Sequence, residues 1–204
     1  MPARAITTVR EAIRAIRALG GTVRTSDAVR RGIPTRVLYG LRDSGQVEQC
    51  SRGVYRLASL APASAPDLLV VAARVPKAVL CLISALAFHE LTDEIPHQVH
   101  IALPKGAEQP RLDHPPLQVV RLSPASFRAG VETHAVDGLE LRVYSPAKTV
   151  ADCFKFRNRV GLTTALAALR ALRRRRGFDV EQLLRFARIC RVERVMTPYV
   201  EAVL

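Results

Sequence analysis

The chain has 204 residues, of which 49% are apolar and 24% are charged, and its formal net charge at pH 7 is +13. These proportions are near globular averages, so wholesale disorder is excluded, and the length suits one large core or two small ones. No apolar run approaches the roughly 20 residues of a spanning helix, and no secretory signal is evident. We therefore expect a cytoplasmic protein with no membrane partner, whose positive charge favours nucleic acid.

The first 57 residues have the pattern of a winged helix-turn-helix. The apolar spacing predicts a first helix from about Thr7 to Leu19, and Thr22-Val23 predicts a short strand. Thr25 or Ser26 is expected to cap a second helix. A third helix is predicted to begin near Pro34. Proline is tolerated in the first turn of a helix, because the backbone N–H that it lacks would have no hydrogen-bond partner within the helix.

Two strands close this segment. The stretches Gln46–Cys50 and Val54–Leu57 flank the tip Ser51-Arg52-Gly53, which has the composition of a hairpin turn and would form the wing. Residues 1–57 hold 11 arginines and 4 acidic residues. Their net positive charge per residue is about three times that of the rest of the chain. The sequence thus predicts a DNA-binding domain at 1–57, a linker at 58–66 and a second domain at 67–204.

The predicted DNA contacts follow from side-chain chemistry. Arginine reaches guanine with two donors, threonine bonds a base or a phosphate, and hydroxyls with free N–H groups at a helix N-terminus bind phosphate. The candidates are Thr25, Ser26, Thr35, Arg36, Tyr39, Arg42, Arg52 and Gly53. The alternative is a winged helix that contacts only protein, with its arginines solvated.

Alternating strands and helices predict that the rest of the chain is an α+β domain. The first expected elements are helices at Leu68–Ala73 and Val79–Leu91 and strands at His97–Pro104 and Leu117–Leu122. A turn or short helix at Ser123–Arg128 is followed by a hairpin of Glu132–Ala135 and Leu139–Tyr144 across Asp137-Gly138. The C-terminal segment is expected to be helical, with helices at Ser145–Arg159 and near Leu162–Leu172 and Val180–Ala187.

The helix after Ser145 carries a stripe of charged residues. Lys148, Asp152, Lys155 and Arg159 fall at helical spacing, opposite an apolar stripe. A solvated helix surface with an ion pair explains this spacing as well as a functional face does. The run Arg173–Arg176 is likewise explained by solvation at a helix end, and a role in binding nucleic acid or an acidic partner stays open.

Catalytic and metal motifs are absent from the sequence. The histidines His97 and His100 do not share a strand face, and no HExxH, phosphate-binding loop or nucleophile elbow occurs. The four cysteines are far apart and form no CxxC pair, which favours buried free thiols. We predict no enzyme, no metal and no cofactor.

Four segments together resemble the AbiEi family of antitoxins from abortive-infection type IV toxin–antitoxin systems. They are RGVYRL at the wing, SALAFHELT, the strand HQVHIALP and the helix segment YSPAKTVADCFKFRNRVG. The resemblance implies that the N-terminal domain represses its own operon by binding operator DNA. It also implies that the C-terminal domain neutralises a nucleotidyltransferase-like toxin without forming a stable complex.

Two groups of residues match the family's motifs by position. The wing motif corresponds to Arg52, Gly53, Val54 and Tyr55, and the helix motif to Ser145, Pro146, Lys148, Thr149, Asp152, Lys155, Arg157 and Asn158. The resemblance and the charged stripe together suggest an antitoxin role for Lys148, Asp152, Lys155, Arg157 and Arg159. Two alternatives remain: a nucleic-acid-processing enzyme that uses His97, His100 or Asp152, and a plain transcriptional regulator whose second domain binds a small ligand.

Overall fold

A computed structural model describes residue 6 and residues 8–203. It is mixed α+β, as the sequence predicted. This part of the chain contains eleven helices and two sheets. The predicted start of the first helix at Thr7 lies outside the described residues. Two compact units divide the chain: Met1–Pro76 with His134–Leu141, and Lys77–Thr133 with Arg142–Leu204.

The first unit is built on a winged helix-turn-helix. Its elements are α1 (Val9–Ala18), β1 (Thr22–Arg24), α2 (Thr25–Arg30), α3 (Thr35–Asp43), β2 (Val47–Ser51), β3 (Val54–Leu57) and α4 (Pro66–Arg74). Strand β3 lies between β1 and β2 and is antiparallel to both. The helices pack on this sheet through a buried core that includes Ile16, Leu38, Leu41 and Leu57. The predicted wing and its preceding helices are therefore present.

The helix caps differ from the prediction. Thr25 or Ser26 was expected to cap α2, but Arg24 holds the N-cap position and Thr25 is the first helical residue. Pro34 is the N-cap of α3 rather than a residue of its first turn. Helix α2 thus begins one or two residues earlier than predicted and α3 one residue later, within the usual uncertainty of helix ends.

The first unit extends beyond the predicted boundary at 58–66. Helix α4 belongs to it: the guanidinium of Arg24 donates to the carbonyl of Ala72 at 2.9 Å, and that of Arg74 donates to the carbonyl of Arg52 at 2.7 Å. Neither bond is visible in a local sequence pattern, because each joins residues far apart in the chain.

Residues 134–141, the tip of a later hairpin, also belong to the first unit. The hydroxyl of Thr22 donates to the carbonyl of Asp137 at 2.7 Å, and the guanidinium of Arg56 lies 3.7 Å from the Asp137 carboxylate. Gly20 and Gly138 meet backbone to backbone, because a Cβ on Gly138 would lie 2.2 Å from the carbonyl oxygen of Gly20. The domain division is thus discontinuous in sequence.

The second unit is built on a five-stranded sheet of order β6-β5-β4-β8-β7. Its elements are β4 (Val79–Leu80), α5 (Leu82–Phe88), β5 (Val99–Pro104), β6 (Leu117–Leu122), α6 (Pro124–Arg128), β7 (Val131–Val136), β8 (Leu139–Tyr144), α7 (Pro146–Lys155), α8 (Arg157–Val160), α9 (Leu162–Arg173), α10 (Val180–Cys190) and α11 (Glu193–Val203). Helix α7 packs against α5, α9 and α10.

Three elements of this unit differ from the prediction. The expected helix Val79–Leu91 begins with strand β4, because a short apolar run fits a buried strand as well as a helix. The expected helix Ser145–Arg159 is divided near Phe156 into α7 and α8. Helix α11, which was not predicted separately, contains Pro198, a residue that weakens a helical pattern.

Candidate nucleic-acid interface and buried charge cluster

Helix α3 presents a basic and aromatic face to solvent. Leu38 and Leu41 are fully buried, and the 3.6-residue period therefore leaves Arg36, Tyr39 and Arg42 exposed. The Arg42 guanidinium lies 5.1 Å from the centre of the Tyr39 ring, a cation–π arrangement. This face has the residue types that read bases and bind phosphates in a groove.

Asp43 restrains Arg42 at the end of this face. The Nε and Nη2 atoms of Arg42 donate to one Asp43 oxygen at 2.9 and 2.8 Å. The hydrogen bond and charge of Asp43 raise the pKa of Arg42. In contrast, the side chains of Arg36 and Arg52 have no polar partner among the described residues. On this face and the wing, Arg36 and Arg52 thus differ from Arg42 in having no acidic neighbour, within the described part of the chain, that holds them.

The wing is fixed to helix α2. Gly53, at a φ of +73°, turns the hairpin tip so that its carbonyl accepts bonds from the backbone N–H of Thr25 at 2.9 Å and from the Thr25 hydroxyl at 3.3 Å. Arg52 is exposed beside it. Thr25 was predicted to bind phosphate, but both of its donors hold the wing. Ser26 is exposed, and Thr35 is half-buried.

Lys148 and Asp152 lie in the interior of the second unit. The Lys148 ammonium is 2.5 Å from an Asp152 oxygen, and the two side chains are 0% and 1% exposed. The second Asp152 oxygen accepts from the Cys190 thiol at 3.2 Å, and the Lys148 ammonium lies 4.1 Å from the centre of the Tyr144 ring. A solvated helix surface, one of the two interpretations of the charged stripe, is wrong for these two residues, because α7 is covered by α5, α9 and α10.

Burial sets the chemistry of this cluster. Desolvation, followed by the charge of Asp152, raises the pKa of Cys190 to about 12, so that its thiol keeps its proton and donates it to the carboxylate. Gly130 leaves room for the cluster, since a Cβ there would lie 2.8 Å from Cβ of Lys148. A site sealed in this way orders the helices around it and offers no surface to a partner.

The other three residues of the predicted antitoxin group lie nearer the surface. Lys155 and Arg157 are half-buried and Arg159 is exposed. The Arg157 guanidinium donates to the carbonyl of Phe154 at 3.0 Å. The five residues therefore form two sets, an interior pair and an outer set at the end of α7 and in α8.

The histidines and cysteines are placed separately. His97 is exposed, and Nδ1 of His100 lies 3.3 Å from the Ser84 hydroxyl. In the described part of the chain, no three His, Cys, Asp or Glu side chains come together as a metal site would require. Three cysteines are buried, and Cys50 is half-buried.

The first unit has the fold and the exposed basic face of a winged-helix protein, to which a second α+β unit is joined. Residues 10–58 match the family described as the AbiEi antitoxin transcriptional regulator, so the resemblance predicted from the sequence is confirmed over that segment. The SALAFHELT and SPAKTVADCF segments lie outside the matched range.

Comparison with solved structures supports the fold of the whole chain. The chain is similar to the crystal structure of the RV2827C protein from Mycobacterium tuberculosis, with a TM-score of 0.53 and 16% identity over 98% of this chain and 83% of that one. At this identity the likeness is one of fold. No curated protein matches the chain. Of the helices in the described residues, none has the length and apolarity needed to cross a bilayer.

Proposed function

We propose that the protein is a DNA-binding repressor of its own operon and an antitoxin that neutralises a cognate nucleotidyltransferase-like toxin. The observation that carries the first part is the exposed face of Arg36, Tyr39 and Arg42 beside the anchored wing. The match of residues 10–58 to a family described as a transcriptional regulator and AbiEi antitoxin supports both parts of the proposal at the level of the family.

Helix α3 would lie in the major groove of the operator. Arg36 and Arg42 would contact guanine edges or phosphates, and Arg52 at the wing tip would reach a phosphate or the minor groove. Thr25 would act indirectly by holding the wing at its carbonyl. Ser26, exposed in the first turn of α2, would contact the backbone.

An electrophoretic shift on the DNA upstream of the gene tests this model. The variant Arg36→Ala/Arg42→Ala is compared with Arg185→Ala/Arg194→Ala, which removes the same charge from exposed positions of α10 and α11. We expect the first variant to bind far more weakly and to show a salt dependence reduced by about 0.9 per lost phosphate contact. Equal losses in the two variants, or wild-type binding that salt leaves unchanged, would contradict the model.

The outer set Lys155, Arg157 and Arg159 would carry the antitoxin function, with the interior pair of Lys148 and Asp152 holding the helix that presents it. The toxin would be antagonised without a stable complex. Co-expression with the adjacent gene tests this, using Lys155→Ala/Arg159→Ala against Arg170→Ala/Arg173→Ala as a charge-matched control. We expect growth rescue by wild type and the control, and its loss in the first variant at equal protein level. A neighbouring product that is not toxic, or rescue by the first variant, would refute it.

A further inference from the structure

The second unit contains an open cavity of about 470 Å³, a volume in the range of small-molecule sites. Its apolar lining comes from the start of α5 and from β6, through Leu82, Ile83 and Val120. Its polar lining includes His100, Gln118 and Arg159. The combination of an apolar wall and a few polar groups is typical of sites that hold and orient one ligand.

The strand register brings the polar groups together. Strands β5 and β6 are parallel, and His100 is the direct partner of Gln118. Alternation along β6 places Val120 on the same face as Gln118. An imidazole and an amide therefore stand side by side next to an apolar surface, which suits a flat ring with hydrogen-bonding groups along its edge.

His100 is held in one orientation. Its backbone N–H donates to the Ser84 hydroxyl at 2.9 Å, and its Nδ1 lies 3.3 Å from the same oxygen. Burial lowers the pKa of His100, so the ring is neutral near pH 7. A hydrogen bond with the backbone of Gln98 and the charge of Glu94 oppose this lowering. His100 is half-buried and lines the cavity, where its ring can contact a ligand.

Leu82, in the apolar lining, has a backbone conformation that L residues avoid. Its φ is +47°, and its side chain is buried against the core. A branched residue persists in the left-handed region only when the surrounding structure imposes it, and such residues concentrate at binding and active sites. This strain is a second, independent sign that the cavity wall is shaped for contact.

The charges around the cavity narrow the ligand class. Arg159 presents an exposed guanidinium fork that matches a phosphate, and Glu94 supplies a carboxylate acceptor for an amino or ring N–H group. A free amino acid would satisfy both charges but leave most of the volume empty. A nucleoside monophosphate supplies the flat ring, the polar edge and the phosphate together.

We propose that this cavity binds a nucleoside monophosphate, with the base beside Val120, the base edge at Gln118 and His100, and the phosphate at Arg159. The site is distinct from the DNA-binding face on α3. Arg159 also belongs to the outer set proposed for the antitoxin function, but nucleotide occupancy is measured without DNA or toxin, so failure of one proposal leaves the other testable.

The test is titration of the full-length protein with AMP, GMP, CMP and UMP, followed through the histidine ring C–H signals in ¹H–¹³C spectra. We expect at least one nucleotide to bind with a Kd of about 1 mM or tighter and to shift His100, while His134 stays in place. Gln118→Ala and Arg159→Ala, at half-buried and exposed positions, should each weaken binding roughly tenfold. Arg170→Ala, an exposed position on α9, should bind as wild type.

Three results would overturn the proposal. In the first, none of the four nucleotides moves the His100 signal at about 10 mM, a concentration well above the expected Kd. In the second, inorganic phosphate or a free amino acid binds as tightly as the best nucleotide, so that the base contributes nothing. In the third, the two cavity variants bind like Arg170→Ala, which would locate binding elsewhere.

Discussion

Lys148 and Asp152, one turn apart on α7, form an ion pair of 2.5 Å that is sealed from solvent. Desolvation of both charges is costly, and it is offset by their attraction, by the thiol of Cys190 and by the ring of Tyr144. Each partner therefore depends on the other, and loss of one leaves a buried charge without compensation.

The first prediction concerns this pair. We expect Lys148→Met to lower the free energy of unfolding by about 3–5 kcal/mol, because Asp152 remains buried and unpaired. The double variant Lys148→Met/Asp152→Asn should recover much of that loss. Urea unfolding followed by circular dichroism measures both. Lys155→Met, on the half-buried side of the same helix, should change stability by only about 0.5 kcal/mol. A double variant less stable than the single would show that the pair is not coupled.

The second prediction concerns Asp43, which binds Arg42 at the end of α3. We expect Asp43→Asn to strengthen DNA binding by roughly threefold to tenfold at low salt, because it frees the guanidinium and removes a charge that repels phosphate. Fluorescence anisotropy with operator DNA measures the Kd. Glu181→Gln makes the same charge change on α10 and should have a smaller effect. Weaker binding by Asp43→Asn would instead indicate that Asp43 orients Arg42 for contact.

The third prediction is a pH dependence from His100. Because burial lowers the pKa of His100 in the folded state, only the unfolded chain binds its proton just below about pH 6.5. Stability is therefore full above about pH 6.5 and falls as pH drops towards the folded pKa. A hydrogen bond with the backbone of Gln98 and the carboxylate of Glu94 oppose this lowering of the pKa, and His97 and Arg159 line the same cavity.

The variant His100→Gln should lose the part of the pH dependence of stability that comes from the His100 ring. We expect the difference in unfolding free energy between about pH 7.5 and 5 to be smaller in His100→Gln than in wild type. His97→Gln, at an exposed position, is the control and should keep the wild-type slope. Equal slopes in wild type and His100→Gln would argue against a lowered pKa.

The fourth prediction concerns the cysteines. Burial raises the pKa of Cys81 and of Cys153, and it raises the pKa of Cys190 to about 12, so these thiols hold little reactive thiolate. The pKa of the half-buried Cys50 is also raised by partial burial. We expect native alkylation to label Cys50 first and the other three only as the protein unfolds, which mass spectrometry of timed samples measures. Fast native labelling of Cys50→Ser would contradict this placement.

The sequence predicted those elements whose signals are local. The periodicity of Leu38 and Leu41 was enough to orient α3, and the glycine tip at Gly53 was enough to place the wing, because helix and hairpin patterns depend on near neighbours. The exposed Arg36 and Tyr39 follow from the same periodicity. The DNA-facing candidates are therefore mostly those that a helical wheel selects.

The features that sequence reasoning missed depend on distant contacts. Charged residues at i and i+4 have the same spacing on an exposed helix as on a covered one, so the burial of Lys148 and Asp152 had no local signal. The role of Thr25 depends on a carbonyl 28 residues away. The pairing of His100 with Gln118 required the parallel register of β5 and β6, which no short motif encodes.

The place of Asp137 in the first unit has a consequence for how the gene can be divided. The Asp137 carboxylate is one of two acidic partners of the buried Arg56 guanidinium, which is only 5% exposed, the other being Glu48. Between Pro76, where the first continuous segment ends, and Asp137 lie 57 residues of the second unit. A recombination event that transferred only the first 76 codons would deliver a winged helix without its hairpin and leave Arg56 with a missing partner. The two halves are therefore expected to be inherited as one piece, so that the winged helix is not exchanged separately from the rest of the protein.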